Sequence, residues 1–380
     1  MPRLGRVTVT LDELISDPHP VLARLRSSAP VAWVPVLDGW LVTGYALAQQ
    51  VMRDAATFTV DDPRFSTATV VGPSMLSLDG AVHARHRDPF VPPFRPAPVR
   101  DRYAAFVAKS TERLIDALLP RGAAELRADF AGPLALSVVA DALGLTGVDP
   151  SAVRTWYAAL VDSVSAVTAG GSPTPEGAAA FRELGEHVHR TIADPSSDSL
   201  LAGIDLERDE IVANAAVLMF GGIDTTESMI ANLVLHLLSH PAALAAVRAD
   251  RTLLPNAIEE SLRVEPAASV VDRYATRDVT IAGADIARGD LVRVSIAGAN
   301  RDPEVFPDPD TFDIHRPNAR VNLAFALGPH FCLGARLARA EAEIAVTALL
   351  DRLPRLRLAE AVTPTGLVFR KPERLPVRWD

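Results

Sequence analysis

The segment 209–239 constrains the fold of this 380-residue chain more than any other part of it. Its apolar residues recur at helical spacing on most faces, so it is predicted to form a helix of roughly 45 Å at 1.5 Å per residue. A helix of that length with apolar residues on most sides must cross the protein interior. No segment resembles a linker between independent domains, so residues 1–380 are predicted to form a single domain, mainly α with small β-sheets.

Shorter patterns predict the other elements. Residues 31–36 and 40–43 flank Asp38 and Gly39, which indicates a hairpin around an Asp-Gly turn. Apolar periodicity predicts further helices over residues 46–53, 101–119, 134–143, 151–167 and 176–192. Strands are predicted at 279–281, 291–295, 367–369 and 375–378, with a turn at 282–285. Residues 59–80 have no clear period and are predicted to form a long loop.

The run FGGIDTT, residues 220–226, lies inside the long helix. Two glycines in a helix interior cost about 1 kcal/mol each relative to alanine, so they require a reason. Thr225 follows Gly221 by four residues, so its hydroxyl can bond the Gly221 carbonyl and open a notch. Asp224 is expected in apolar surroundings, with a raised pKa, as a proton relay. The alternative is that the glycines only allow close helix packing.

The single cysteine, Cys332, lies in the run FALGPHFCLG, residues 325–334. Helical apolar spacing begins at Ala335, so Cys332 should lie just before a helix N-terminus, whose dipole lowers the pKa of a thiol. Gly328 and Gly334 lack Cβ atoms and leave room for a flat ligand. The alternative is an inert core cysteine. With one cysteine the chain cannot form an intrachain disulfide, which suits a reducing compartment.

Phe325, Gly328, His330, Cys332 and Gly334 resemble the haem-binding loop of the cytochrome P450 family, position for position. The resemblance implies the P450 fold around one buried haem b, with Cys332 as the axial ligand of the iron. A thiolate ligand pushes electron density to the iron and favours O–O cleavage. The implied activity is that of a bacterial haem-thiolate monooxygenase, which inserts one oxygen atom from O2 into a small apolar molecule by hydroxylation or epoxidation.

Two more motifs extend the resemblance. The run at 220–226 is similar to the family's oxygen-activation motif, in which Asp224 and Thr225 would be the catalytic acid and alcohol. Glu260 and Arg263 are similar to its Glu-x-x-Arg pair, which Arg316 would complete. This buried network is expected to be structural and not catalytic.

The haem propionates need charge-assisted hydrogen bonds, and the resemblance nominates four cations for them. They are His83, Arg87, Arg273 and His330. The alternative is that these are ordinary surface cations. Prolines at positions 89, 92, 93 and 96 predict that the helix around Arg87 is short, or starts or stops at Pro89, which would limit the reach of Arg87.

The resemblance also implies the substrate site. The helix–loop–helix at 151–192 would cover the substrate as a lid. Seven residues are expected in the pocket, namely Val217, Phe220, Gly221, Ser269, Val270, Val368 and Phe369.

Charge and composition limit the partners. A net charge of −9 and a pI near 5.5 argue against nucleic acid. No signal peptide and no membrane anchor are recognised, so a cytoplasmic protein is expected. A monomer is also expected. No flavin or nicotinamide fingerprint occurs, so electrons should come from a separate ferredoxin and ferredoxin reductase with NAD(P)H, meeting arginines such as Arg95, Arg100 and Arg336.

Two other functions stay open. One is a peroxide-driven peroxygenase or haem-thiolate isomerase. The Asp224–Thr225 pair argues against it, because peroxide arrives already reduced and protonated. The other is a non-catalytic haem-binding sensor, which would not need a notch for proton delivery.

Overall fold

The computed structural model describes residues 8–145 and 147–379. In this part of the chain the fold is mostly helical. The α-helices are α1 (Leu11–Ser16), α2 (His19–Ser28), α3 (Tyr45–Arg53), α4 (Ser66–Val71), α5 (Gly80–Arg87), α6 (Pro96–Pro98), α7 (Ala104–Leu118), α8 (Gly132–Ala142), α9 (Pro150–Thr168), α10 (Pro175–Ala193), α11 (Arg208–Ser239), α12 (Pro241–Ala249), α13 (Leu254–Val264), α14 (Ile296–Ala299) and α15 (Ala335–Arg352).

Small sheets complete the fold. The strands are β1 (Val31–Val34), β2 (Gly39–Val42), β3 (Phe58–Thr59), β4 (Ala123–Glu125), β5 (Val270–Ala275), β6 (Val279–Ile281), β7 (Ala284–Ile286), β8 (Leu291–Ser295), β9 (Arg357–Leu358), β10 (Pro364–Thr365), β11 (Lys371–Pro372) and β12 (Pro376–Arg378). The largest sheet has the order β1-β2-β8-β5-β3, and β4-β12-β9 form a second one. β6–β7 and β10–β11 are separate antiparallel pairs.

The predicted core helix is confirmed as α11, which packs against α8, α10, α13 and α15. Its first turn is fixed by a capping box between Glu207 and Glu210. The structure distinguishes the two glycines of the pair. A Cβ on Gly222 would lie 2.4 Å from Val139 Cγ2 of α8, so this position needs glycine for close packing. A Cβ on Gly221 would meet no described atom within 4 Å.

The segment after Arg87 is broken as its prolines predict. Helix α5 ends at Arg87, and two short 3-10 turns follow at Asp88–Phe90 and Pro92–Phe94. Proline removes the backbone donor that a continuing α-helix would require. The expectation of a short helix is therefore confirmed.

Three local predictions are wrong. Residues 59–80 are not all loop, because α4 forms there and packs against α9, with Thr168 Oγ1 donating to Ser66 Oγ at 2.9 Å. Residues 367–369 form no strand, and Phe369 makes only an isolated bridge to Ala268. The turn near 282 is shorter than predicted, because Ala284 already belongs to β7.

In the described residues, no single helix is both long and apolar enough to cross a membrane. Among the helices of residues 8–145 and 147–379, α11 and α12 pass that test of length and composition only when taken together, and their axes are bent by 104°.

Candidate active site

A cavity of about 1420 Å³ lies beside the middle of α11, and both sequence motifs open onto it. Asp224 and Thr225 line it from α11, while Cys332 lines it from the loop before α15. Tyr157 of α9, Val270 of β5 and the segment 367–369 contribute to the remaining wall. Thr225 and Cys332 are 107 positions apart in the sequence. The cysteine loop and the glycine-containing turn of α11 nevertheless line the same cavity.

The cysteine loop is held in a conformation that glycine permits. Gly328 has φ of +73°, and a Cβ there would lie 2.5 Å from the Met52 carbonyl oxygen. The backbone N–H of Cys332 donates to the Phe325 carbonyl at 2.9 Å, which closes the loop. Gly334 has no comparable constraint, since the nearest described atom to its added Cβ would be 3.9 Å away. Gly328 is therefore required by the protein itself, whereas Gly334 is not.

The side chain of Cys332 is exposed, and the space to which it is exposed is the cavity. Desolvation by the protein atoms around the loop raises its pKa, and this outweighs the backbone N–H groups of Gly334 and Ala335 and the guanidinium groups of Arg87 and Arg339, which lower it. The expectation that the pKa of the Cys332 thiol is lowered is therefore wrong when only the protein's own groups act on it. The helix terminus contributes in the predicted direction but is the smaller effect. A coordinated metal cation deprotonates a thiol outright.

Phe325 is fixed from the other side of the loop. The Arg339 guanidinium lies 4.3 Å from the centroid of the Phe325 ring. Arg339 itself is held by Glu259, with Nε donating to Oε1 at 2.6 Å and Nη2 to Oε2 at 3.1 Å. This ion pair links α15 to α13, so both helices position the aromatic ring beside the cysteine loop.

Three of the four cations predicted at the propionates line the cavity, namely Arg87, Arg273 and His330. Arg87 reaches the cysteine loop, where Nη2 donates to the Phe331 carbonyl at 2.5 Å, so the short helix does not prevent its contact with the site. Arg273 is only 4% exposed and donates from Nη1 to the neighbouring Asp272 carbonyl at 2.7 Å. A buried guanidinium at the edge of a cavity is suited to an anionic ligand.

The fourth cation, His83, does not line the cavity, which corrects the prediction. It is buried behind His330, with 4.4 Å between the ring centroids, and its Nε2 has no hydrogen-bond partner in residues 8–145 and 147–379. Burial, together with His330 and Arg87, lowers its pKa to about 4. His330 Nε2 lies 2.9 Å from Asp79 Oδ1, whose pKa is about 2 because hydrogen bonds from His330 and Thr59 overcome the effect of burial. His83 is thus a support for His330.

The turn of α11 beside the cavity has the predicted hydrogen bond, since the Thr225 hydroxyl donates to the Gly221 carbonyl. The surroundings of Asp224 differ from the prediction. Its carboxylate forms an ion pair with Lys371 of β11 and not an apolar contact. The expectation that Asp224 lies in apolar surroundings is therefore wrong.

Six of the seven predicted pocket residues line the cavity: Val217, Phe220, Gly221, Val270, Val368 and Phe369. Ser269 does not, which is a correction. It is buried, its hydroxyl donates to the Leu367 carbonyl at 2.5 Å, and its backbone N–H donates to the Val368 carbonyl at 2.8 Å. Ser269 therefore fixes the segment that carries two of the pocket residues.

The Glu-x-x-Arg network is formed as predicted. Arg263 donates to both oxygens of Glu260 at 2.8 Å, and Arg316 Nε donates to Glu260 Oε1 at 3.0 Å. All three side chains are buried. They lie outside the residues that line the cavity, which agrees with a structural role.

Sequence reasoning missed Glu341, a buried residue of α15 that lines the cavity. Its Oε2 has no hydrogen-bond partner in the described part of the chain, and burial raises its pKa well above the usual value. A signal existed in the sequence, since Glu341 lies four positions after Leu337 and four before Ala345. This spacing places a carboxyl on the apolar face of the helix.

The residues at this cavity fit a haem. Cys332 offers a sulfur ligand, while Arg87, Arg273 and His330 offer three donors for propionates. Most of the remaining wall is aliphatic or aromatic, as a porphyrin requires. The close backbone at Gly328 leaves no room for a side chain under the loop.

Comparisons with known proteins agree with this geometry. Residues 194–356 match the family model described as Cytochrome P450. The chain is 38% identical to cytochrome P450 monooxygenase PikC of Streptomyces venezuelae, covering 97% of this chain and 92% of that protein. It is 34% identical to 20-oxo-5-O-mycaminosyltylactone 23-monooxygenase of Streptomyces fradiae, covering 96% and 90%. The crystal structure of CalO2 superposes with a TM-score of 0.89 at 31% identity, covering 99% of both chains.

Identity of this size over almost the whole chain, together with a matching fold, shows the family of this chain. The chain belongs to the cytochrome P450 family of haem-containing monooxygenases.

Proposed function

We propose that the protein uses haem b, with Cys332 as the axial ligand, to insert one oxygen atom from O2 into an apolar C–H or C=C bond. The observation that carries this proposal is that Cys332 and the Asp224–Thr225 turn open onto one cavity. When bound, the haem supplies reductive activation of dioxygen. The protein must then hold the haem, deliver protons and exclude water around the substrate.

Three cations at the cavity would together hold the haem. Arg87, Arg273 and His330 would hold the two propionates through charge-assisted hydrogen bonds. His330 is itself fixed by Asp79 and by the ring of His83. His83 would therefore act on the haem through His330 and not by direct contact.

Proton delivery falls to the turn of α11 that carries Gly221, Asp224 and Thr225. The Thr225 hydroxyl is directed by its bond to the Gly221 carbonyl, and Gly221 has open space where a Cβ would be. Thr225 would hold a proton beside the position where oxygen is reduced. Asp224 would return a proton to that position from the solvent side.

The substrate would be a bulky apolar molecule. The cavity has room for more than a haem, and Val217, Val270, Val368 and Phe369 provide aliphatic and aromatic walls. The relative from Streptomyces fradiae is named for 23-monooxygenation of 20-oxo-5-O-mycaminosyltylactone. The haem would take up part of the cavity of about 1420 Å³, and the substrate would occupy the rest.

Electrons would come from a ferredoxin and its NAD(P)H-dependent reductase. Arg95 and Arg336 are exposed, and Arg336 lies in the first turn of α15, close in sequence to Cys332. Arg100 is already paired with Asp101 at 2.7 Å, so it contributes less to an acidic partner.

The proposal is tested first by the spectrum of the reduced protein with carbon monoxide. The wild type should show the red-shifted Soret band of thiolate ligation, and Cys332→Ala should lose it. A band that persists in Cys332→Ala would refute the assignment of the ligand.

The source of oxygen is tested by turnover. Compounds that displace the iron-bound water in a difference-spectrum screen are incubated either with NADH, ferredoxin and reductase or with peroxide alone. Product should form efficiently with the electron-transfer proteins, and Thr225→Ala should reduce it. Efficient product formation with peroxide alone would favour the peroxygenase instead.

A further inference from the structure

Lys371 is one of two lysines in the chain and lies on β11, outside every motif that the sequence resemblance covers. Its ammonium forms an ion pair with Asp224 and lies 3.4 Å from Glu227 Oε1. The side chains of Lys371, Asp224 and Glu227 are only 17%, 17% and 14% exposed. Charged groups at this depth are costly unless they are paired, so the contact is a specific one.

Asp224 and Glu227 are three positions apart on α11, so one cation can bridge both carboxylates. The chain of charges continues, because Arg127 Nε donates to Glu227 Oε1 at 2.5 Å. Arg127 also donates to the carbonyls of Pro372 and Glu373, directly after Lys371. Arginine, glutamate, lysine and aspartate therefore alternate in sign from the protein exterior to the cavity wall, with two charges of each sign.

The backbone at Lys371 is held firmly by the residue before it. Arg370 is 2% exposed, and its Nε donates to Glu265 Oε1 at 2.7 Å. Its Nη1 donates at 2.9 Å to the carbonyls of Ile15 and Gly366. The origin of the lysine side chain is thus fixed relative to α1 and to Glu265 just after α13, and the ammonium can act as a fixed point for Asp224.

We propose that Lys371 is a positioning residue for Asp224, which keeps this carboxylate at the cavity wall next to Thr225. The inference rests on the proposed function, because it assumes that Asp224 delivers protons. An Asp224 side chain without this partner has a second neighbour, Tyr157, since both line the cavity and the charge of Asp224 helps to raise the pKa of the Tyr157 phenol. Loss of Lys371 would let the carboxylate turn to Tyr157 on α9 and away from its working position.

The first test compares Lys371→Met, Lys371→Arg and the surface control Lys109→Met. The readout is oxygen-dependent NADH oxidation with a plant-type ferredoxin and its reductase, without added substrate, in normal and deuterated water. Lys371→Met should slow oxidation roughly tenfold, as misplacement of a reacting group does, and increase the solvent isotope effect. Lys371→Arg should restore the rate to near wild type, because a guanidinium keeps the ion pair. Lys109→Met should behave as wild type.

The second test does not depend on turnover. The haem-loaded protein is treated with an N-hydroxysuccinimide ester of acetic acid, and acetylation of each lysine is followed by mass spectrometry. Exposed Lys109 should react roughly tenfold faster than Lys371, a factor equivalent to about 1.4 kcal/mol. Asp224→Asn combined with Glu227→Gln should remove most of this difference.

The outcomes separate this inference from the proposed function. Equal acetylation of both lysines in the wild type, or an unchanged isotope effect in Lys371→Met, would overturn the positioning role. A Lys371→Arg variant as slow as Lys371→Met would overturn it too, since it would mean that Lys371 must release its own proton. A wild type without the thiolate spectrum or NADH oxidation would refute the proposed function, while the acetylation test would still report on the ion pair.

Discussion

At the scale of single residues, Gly221 and Gly222 show how neighbours in one helix serve different needs. Gly222 faces α8, where a Cβ would lie 2.4 Å from Val139 Cγ2. Gly221 faces the cavity, and a Cβ there would meet no described atom within 4 Å. Gly222 is required by packing between helices, whereas Gly221 leaves room for ligands.

Substitution of each glycine by alanine should distinguish the packing role of Gly222 from the space-leaving role of Gly221. Gly222→Ala should lower the free energy of unfolding by about 1–3 kcal/mol, since the methyl group overpacks the contact with Val139. Gly221→Ala should leave it unchanged or raise it by up to about 1 kcal/mol, through better helix propensity. Denaturant unfolding of the haem-loaded variants measures both. Equal losses at the two positions would contradict this division.

At the scale of elements, α11 is tied to α13 through a partly buried histidine. His236 of α11 has its Nδ1 2.9 Å from Ser261 Oγ of α13, and its ring stacks on Phe312 with 5.0 Å between centroids. Burial lowers the pKa of His236 from 6.5 to about 4. The folded protein therefore keeps this ring neutral at a pH where the unfolded chain would protonate it.

This linkage predicts an acid-sensitive contact. A histidine with a lowered pKa contributes stability that is present above pH 6.5 and is lost as the pH falls towards 4, by about 3 kcal/mol in total. His236→Phe should keep the stacking and lose part of the acid dependence, although Ser261 loses its partner. Unfolding of wild type, His236→Phe and the exposed control His315→Gln between pH 7 and 4 checks this. Parallel pH profiles for His236→Phe and wild type would rule out the assignment.

Some elements could be predicted from sequence because their signal is local. The apolar pattern at 209–239 predicts the bounds of α11 to within one residue, and the prolines after Arg87 predict the end of α5. Helix α4 was missed because STATVV at 66–71 has no polar–apolar period and is stabilised by packing against α9. The predicted strand at 367–369 failed because Gly366, at φ +116°, begins a turn that the alternation does not reveal.

The candidate site divides in the same way. The cysteine loop and the α11 turn are short runs, so their residues could be recognised without a structure. Asp224 and Lys371 pair although they are 147 positions apart in the sequence, and no local sequence pattern predicts this pair. The motifs predict His83 at the haem and Ser269 in the substrate pocket, whereas both lie behind residues that line the cavity. A motif predicts the position of a residue along the chain but not the direction of its side chain.

At the scale of the whole molecule, one arginine connects both ends of the chain to the core. Arg370 contacts the Ile15 carbonyl of α1, the Gly366 carbonyl before the 367–369 segment and the buried Glu265. Burial alone would raise the pKa of Glu265, but hydrogen bonds and charge from His19 and Arg370 hold it at about 2. His19 near one end of the chain and Arg370 near the other thus both pair with the buried Glu265, and Arg370 directly follows Val368 and Phe369 of the cavity wall.

Removal of Arg370 should therefore affect stability and the cavity together. Arg370→Met should lower the free energy of unfolding by about 3–5 kcal/mol, because it leaves Glu265 buried with only His19. The control is Arg374→Met, which breaks the exposed 3.2 Å pair with Glu360 and should cost less than about 1 kcal/mol. Adding Glu265→Gln to Arg370→Met should recover part of the loss, since the uncompensated charge disappears. Similar losses for the two single arginine variants would show that the chain ends are held by apolar packing instead.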